Sequence, residues 1–202
     1  MNNFFKKNGY VFVKNVVSED VCNFAVKYYK NKLNKHISDN INNFDCLGRY
    51  KFKKSTQTKG SSWELYKSSF GQTLLNDLLP IVENETGLNL YPTYSFFRMY
   101  QKDSMLLSHK DRKSCEYSVT LNLGNIGGKK WPIYIENLDG EENNYDLNPG
   151  DIIIYRGTIL NHWRNENPNE EYYQLFLHYV NQNGNFRNLI NDRLKYTKPK
   201  RI

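Results

Sequence analysis

Apolar positions along this chain change period midway. Residues 9–17 are a β-branched and aromatic run and read as a strand. Ser18-Glu19-Asp20 then supplies a hydroxyl N-cap and two acids for a first helical turn. Val21, Phe24, Ala25, Tyr28, Tyr29 and Leu33 recur at helical spacing and predict one apolar face, with the helix ending near residues 34–36. Residues 37–62 show no clear period and read as a polar loop with a basic shoulder at Lys51-Phe52-Lys53-Lys54, a surface excursion or a lid over a site. A second amphipathic helix is predicted over 70–85, with Leu74, Leu75, Leu78, Leu79 and Val82 on one side, a break at Pro80 and a C-cap at Gly87.

From Tyr91 the period falls to two. Residues 93–100, 116–123, 132–136, 151–155, 158–163 and 171–180 read as strands, in a set of seven or eight, with turns at Asp139-Gly140 and Asn148-Pro149-Gly150. Tyr117, Val119, Leu121 and Leu123 share one face. No strand–helix alternation occurs here, so a double-sheet jelly roll is expected rather than a parallel doubly wound sheet. Residues 186–194 read as a short helix before a basic tail at 195–201.

The 202 residues suit one domain. Within it, residues 1–90 support a jelly-roll core over 91–182, and 183–202 form the C-terminal helix and tail. Aromatic residues make up 15% of the chain, so the core rests on Tyr and Phe as much as on aliphatic side chains. No apolar run is long enough to span a membrane, and the N-terminal residues lack the pattern of a signal peptide. Cys22, Cys46 and Cys115 are odd in number and widely spaced, which argues against a disulfide framework and for a reducing cytoplasm. The net charge of +7 permits a nucleic-acid partner but does not favour one, because the basic residues are scattered.

Chemistry concentrates in His109-Lys110-Asp111 and a later lone histidine, His162. Two imidazoles and one carboxylate can hold iron(II) on one face and leave other positions open. On an extended segment His109 and Asp111 point the same way. Arg164, two after His162, shares that histidine's face, and its planar fork suits a bidentate carboxylate. Arg98 and Arg112 are lesser candidates, and Gln174 is placed in the same cavity. His178 shares parity with Gln174 and reads as a satisfied interior histidine; His36 reads as solvated, Cys115 as a small buried hydrophobe, and Trp131 and Trp163 as packing residues.

Taken in order, Tyr100, His109-x-Asp111, Asn148-Pro149-Gly150-Asp151 and His162 resemble the 2-oxoglutarate/iron(II)-dependent dioxygenases, in the prolyl-4-hydroxylase-like branch. The resemblance covers residues 90–180 and extends to the strand and helix near the N-terminus. It implies a double-stranded β-helix of the jelly-roll, cupin-like kind, mainly β and braced by N-terminal helices. It also implies Fe(II) held by His109, Asp111 and His162, with 2-oxoglutarate and O2 as co-substrates, ascorbate as an optional reductant, and succinate and CO2 as products. The substrate would be a peptidyl residue or a small molecule, and Tyr100 would hold the co-substrate with Arg164. The chain departs from the family at one place: the cation expected about ten residues beyond the distal histidine is absent from Tyr172-Tyr173-Gln174. That departure raises an alternative, a non-catalytic jelly-roll binding module without 2-oxoglutarate.

Overall fold

The structure, a computed structural model, describes residues 2–38, 53–54 and 58–192. Cys46, the side chain of His36, most of the 37–62 loop and the basic tail lie outside the described residues. The chain opens on a short helix that the sequence pattern did not announce, α1 (Asn3–Asn8), capped by the Asn2 side chain and ended by Gly9 at φ 80°. It leads into β1 (Tyr10–Val13), shorter than the 9–17 run, and then α2 (Glu19–Ser38).

The buried stripe of α2 is Cys22, Ala25, Tyr29 and Leu33, while Val21 and Phe24 are exposed. The expected apolar face is therefore rotated: four small or long side chains at helical spacing pack on the sheet, and Tyr29 stacks on Phe97 with ring centroids 3.7 Å apart. The Tyr29 hydroxyl reaches Ser68 Oγ at 2.7 Å, which satisfies its one polar atom inside the core.

The basic shoulder and loop resolve into β2 (Lys53–Lys54), β3 (Thr58–Lys59) and β4 (Ser62–Tyr66). The single helix predicted over 70–85 is two, α3 (Ser69–Asp77) and α4 (Leu79–Thr86), split at Leu78 because Pro80 enters the first turn of α4. Gly87 ends α4 at φ 69°.

Eight strands follow: β5 (Leu90–Gln101), β6 (Met105–His109), β7 (Tyr117–Ile126), β8 (Ile133–Glu136), β9 (Glu142–Tyr145), β10 (Ile152–Tyr155), β11 (His162–Arg164) and β12 (Glu171–Asn181). They close into two antiparallel sheets, a larger one ordered β1-β10-β7-β12-β5-β4-β2 and a smaller one ordered β3-β6-β11-β8-β9. This is the double-stranded β-helix. Arg187–Asp192 forms a broken 3-10 turn in place of the helix expected over 186–194, because Asn191 takes φ 57°.

Alternation along the central strands assigns the two faces. Val119, Leu121, Leu123, Tyr173, Leu175, Leu177 and Tyr179 join the main core beneath α2 and α3. Ser118, Thr120, Gln174 and His178 point the other way, between the sheets, where they are buried. Tyr10, Ile133, Ile135, Ile153 and Tyr155 fill one end of that interior. The other end is left for polar side chains. Asp151 fastens the turn before β10, its carboxylate accepting from the Asn15 and Asn148 amides at 2.9 Å each. Gly150, at φ 90°, is required in that turn, since a Cβ there would strike the Val17 carbonyl. Among the described residues no helix is long and apolar enough to cross a membrane.

Candidate metal centre

β6 and β11 run antiparallel with His109 directly opposite His162. Their rings lie 4.3 Å apart, centroid to centroid. Each ring is set by the same device: Nδ1 of His109 donates to the Leu107 carbonyl at 2.8 Å, and Nδ1 of His162 to the Leu160 carbonyl at 3.2 Å. A neutral imidazole that donates from Nδ1 keeps its Nε2 lone pair free. Both Nε2 atoms lie 3.7 Å from Asp111 Oδ1.

Asp111 does not reach the histidines through strand parity, as the sequence suggested. β6 stops at His109, and the Asp111 amide donates to the Gly157 carbonyl at 2.8 Å, which pins the segment after the strand to the segment after β10. Ser118 Oγ donates to Asp111 Oδ2 at 2.7 Å and leaves Oδ1 facing the imidazoles. The three residues each offer a ligand atom, all within 4.8 Å of one another. Two neutral nitrogens and one carboxylate oxygen, each oriented by a hydrogen bond to its other polar atom, form a donor set that fits a divalent transition metal.

Electrostatics keep Asp111 and His162 in ligand form. Burial pushes the Asp111 carboxyl up, but His162, His178, the Ser118 hydrogen bond and His109 outweigh it and hold it below the usual carboxylate range. Burial pushes His162 below the usual imidazole range, with Asp111 pulling partly back. His178 falls to about 4, again chiefly through burial. The Cys115 thiol is pushed up to about 12 by burial and by Asp111.

The three residues border a cavity of about 460 Å³. Its far wall comes from β4 and β5: Glu64, Tyr66, Tyr94, Phe96 and Arg98. Arg98 pairs with Glu64 at 3.2 Å, both nearly inaccessible, and reaches the Tyr100 hydroxyl at 3.3 Å. At the mouth Arg112 stacks on Tyr94, 4.6 Å from the ring centre, and pairs with Asp192 at 3.0 Å. Tyr155 closes the floor, its hydroxyl 3.4 Å from His162 Nε2.

Arg164, Tyr100 and Gln174 gather behind this cavity rather than along its wall. Arg164 is 1% exposed; its guanidinium donates to the Trp131 carbonyl and, at 3.0 Å, to Gln174 Oε1, and rests against the Trp131 and Tyr172 rings. Among the described residues no carboxylate lies within ion-pair distance of it. Leu106, which lines the cavity, packs with Tyr100, Trp131 and Tyr172.

Glu64 and Tyr66 had no sequence signal, because they fall at the end of an aperiodic stretch. Ser118 had one: it alternates with Tyr117 and Val119 and so belongs to the opposite, inward face. His178 is buried and 2.9 Å from Ser118 Oγ, and Cys115 is buried against the Tyr94 hydroxyl. Trp163, by contrast, stacks on Tyr134 within the smaller sheet.

No family model and no curated protein matches the sequence. Solved structures do match the fold. A prolyl-4-hydroxylase from Pseudomonas putida superposes with TM-score 0.62 at 13% identity, over 89% of this chain and 96% of that one. An oxidoreductase of the 2OG-Fe(II) oxygenase family from Burkholderia pseudomallei gives 0.64 at 14%, over 90% and 89%. HygX from Streptomyces hygroscopicus, with nickel and 2-oxoglutarate bound, gives 0.62 at 12%, over 88% and 85%. The fold is that of the 2-oxoglutarate/iron(II) oxygenases, prolyl-4-hydroxylases among them.

Proposed function

We propose that this chain is an iron(II)- and 2-oxoglutarate-dependent dioxygenase, a hydroxylase of a peptidyl residue or a small molecule. The observation that carries the reading is the convergence of His109, Asp111 and His162 at one end of the β-helix interior, each ligand atom oriented by a hydrogen bond to its partner atom. When bound there, iron(II) and 2-oxoglutarate supply the oxidative chemistry, in which one oxygen atom enters the substrate and the other completes succinate as CO2 leaves.

The chain's own residues position and shield. His109 and His162 hold the metal through Nε2, and Asp111 through Oδ1. Arg164, with Gln174 and the Tyr100 hydroxyl, holds the far carboxylate of 2-oxoglutarate. A buried guanidinium with no carboxylate beside it carries a desolvation cost that a dianion would offset. Tyr94, Phe96 and Phe176 form an apolar wall that excludes water from the reacting end of the cavity. The buried, unpaired thiols of Cys22 and Cys115 support a cytoplasmic location.

The test is succinate formation by purified protein with iron(II), ascorbate and 2-oxoglutarate. Slow turnover is expected without added substrate, and His109→Ala or Asp111→Ala should remove it; turnover that persists in those variants refutes the assignment. One observation favours a non-catalytic module instead: Arg164 is buried and is not among the residues that line the cavity. Calorimetric titration of 2-oxoglutarate with manganese(II) present separates the two readings, since only the module leaves 2-oxoglutarate unbound.

A further inference from the structure

The two oxygens of Asp111 face different neighbours. Oδ1 faces the histidine pair, and Oδ2 accepts from Ser118. Cys115 and His178 lie on the Ser118 side. With Asp111 they form a second group whose ligand atoms are all within 4.8 Å of one another. All three residues border the cavity, so an ion has a route in.

Proton accounting shows which atom His178 offers. The single Ser118 hydroxyl proton goes to Asp111 Oδ2, so in the 2.9 Å contact between Ser118 Oγ and His178 Nδ1 the ring is the donor. A neutral imidazole that donates from Nδ1 carries its lone pair on Nε2. That Nε2 has no hydrogen-bond partner among the described residues. A buried imidazole, a thiol and a carboxylate oxygen thus stand together at the cavity, each offering one ligand atom.

We propose that Cys115, His178 and Asp111 Oδ2 form a second metal site, for a soft divalent ion of the zinc class, sharing Asp111 with the first. Thiolate with imidazole and carboxylate selects zinc over harder ions, and three protein ligands leave a fourth position open to the cavity. On binding, the thiol passes its proton to solvent and no electrons move. The ligand set stands whether or not the first group carries iron. Because one carboxylate serves both groups, filling the second weakens the hold of the first on its ion.

Cobalt(II) is the probe, read by the thiolate-to-cobalt charge-transfer absorption of metal-free protein titrated without oxygen. The wild type should show the band, and zinc(II) should erase it. Cys115→Ser and His178→Asn should lose or sharply weaken it, whereas Cys22→Ser and His109→Ala should keep it. No band in the wild type overturns the proposal, as does a band that survives Cys115→Ser. A band lost in His109→Ala would place the thiol in the first group and also overturn it. Succinate formation without added zinc reads the first group and the thiolate band the second, so failure of one assignment is distinct from failure of the other.

Discussion

The Arg164 guanidinium lies 5.0 Å from the ring centre of Tyr172, ten positions after His162. Tyr172 stands on β12, where the resembled family carries its co-substrate cation. Here a guanidinium from β11, in the facing sheet, rests against that aromatic side chain.

Arg164→Met should therefore raise the dissociation constant for 2-oxoglutarate by about 10- to 100-fold, the worth of a charge-assisted pair. Manganese(II) affinity should change little, since His109, Asp111 and His162 stay in place. Calorimetry reads both. An unchanged affinity for 2-oxoglutarate would move the anchor to Arg98.

Gly157 holds the carboxylate in position from behind. A Cβ there would strike Asp111 Oδ2 and the Cys115 carbonyl. Gly157→Ala should weaken manganese(II) binding about 10- to 100-fold, as loss of an outer support does. Electron paramagnetic resonance of free manganese gives the number; wild-type affinity in the variant would mean that Asp111 is not held this way.

His178 titrates near 4 when folded, against about 6.5 in an unfolded chain. Between those values the unfolded state binds the extra proton. Stability from this residue is thus full above pH 6.5 and is lost as pH falls toward 4, by about 3 kcal/mol in total. His162 is depressed too and acts in the same direction. Urea melts at pH 7 and pH 4.5 should show a smaller acid loss for His178→Gln than for the wild type. Equal losses would place the acid sensitivity elsewhere.

The Arg98–Glu64 pair is buried at 3.2 Å. Glu64→Leu removes the carboxylate paired with a buried guanidinium and should cost about 3–5 kcal/mol. The double variant with Arg98→Met should recover much of that, and a double-mutant cycle from urea melts measures the coupling. Additive losses would mean that the two side chains act independently.

The strands of this fold were legible because alternation such as Tyr117, Val119, Leu121, Leu123 survives into the structure unchanged. Pro80 likewise marked a real break. His109 and Asp111 were legible as a pair, but for the wrong reason: parity ends with β6, and a backbone bond to Gly157 completes the approach. That bond spans 46 positions, from 111 to 157, and leaves no local pattern. The face of α2 was misread because Val21 and Phe24 are apolar yet exposed, and helical spacing alone cannot separate two adjacent stripes. Glu64 meets Arg98 only through the pairing of β4 with β5, which five residues of weak alternation do not announce.

β12 lies between β7 and β5 and pairs with both along nearly its whole length, yet it follows both in the chain. A ribosome delivers the outer strands first and their shared neighbour last. Until residues 171–181 emerge, β5 and β7 each present an open row of backbone donors and acceptors to whatever else is nearby. The nascent protein is thus most exposed to misassociation just before β12 emerges, and a chain interrupted ahead of β12 would have two sticky edges and no centre to join them.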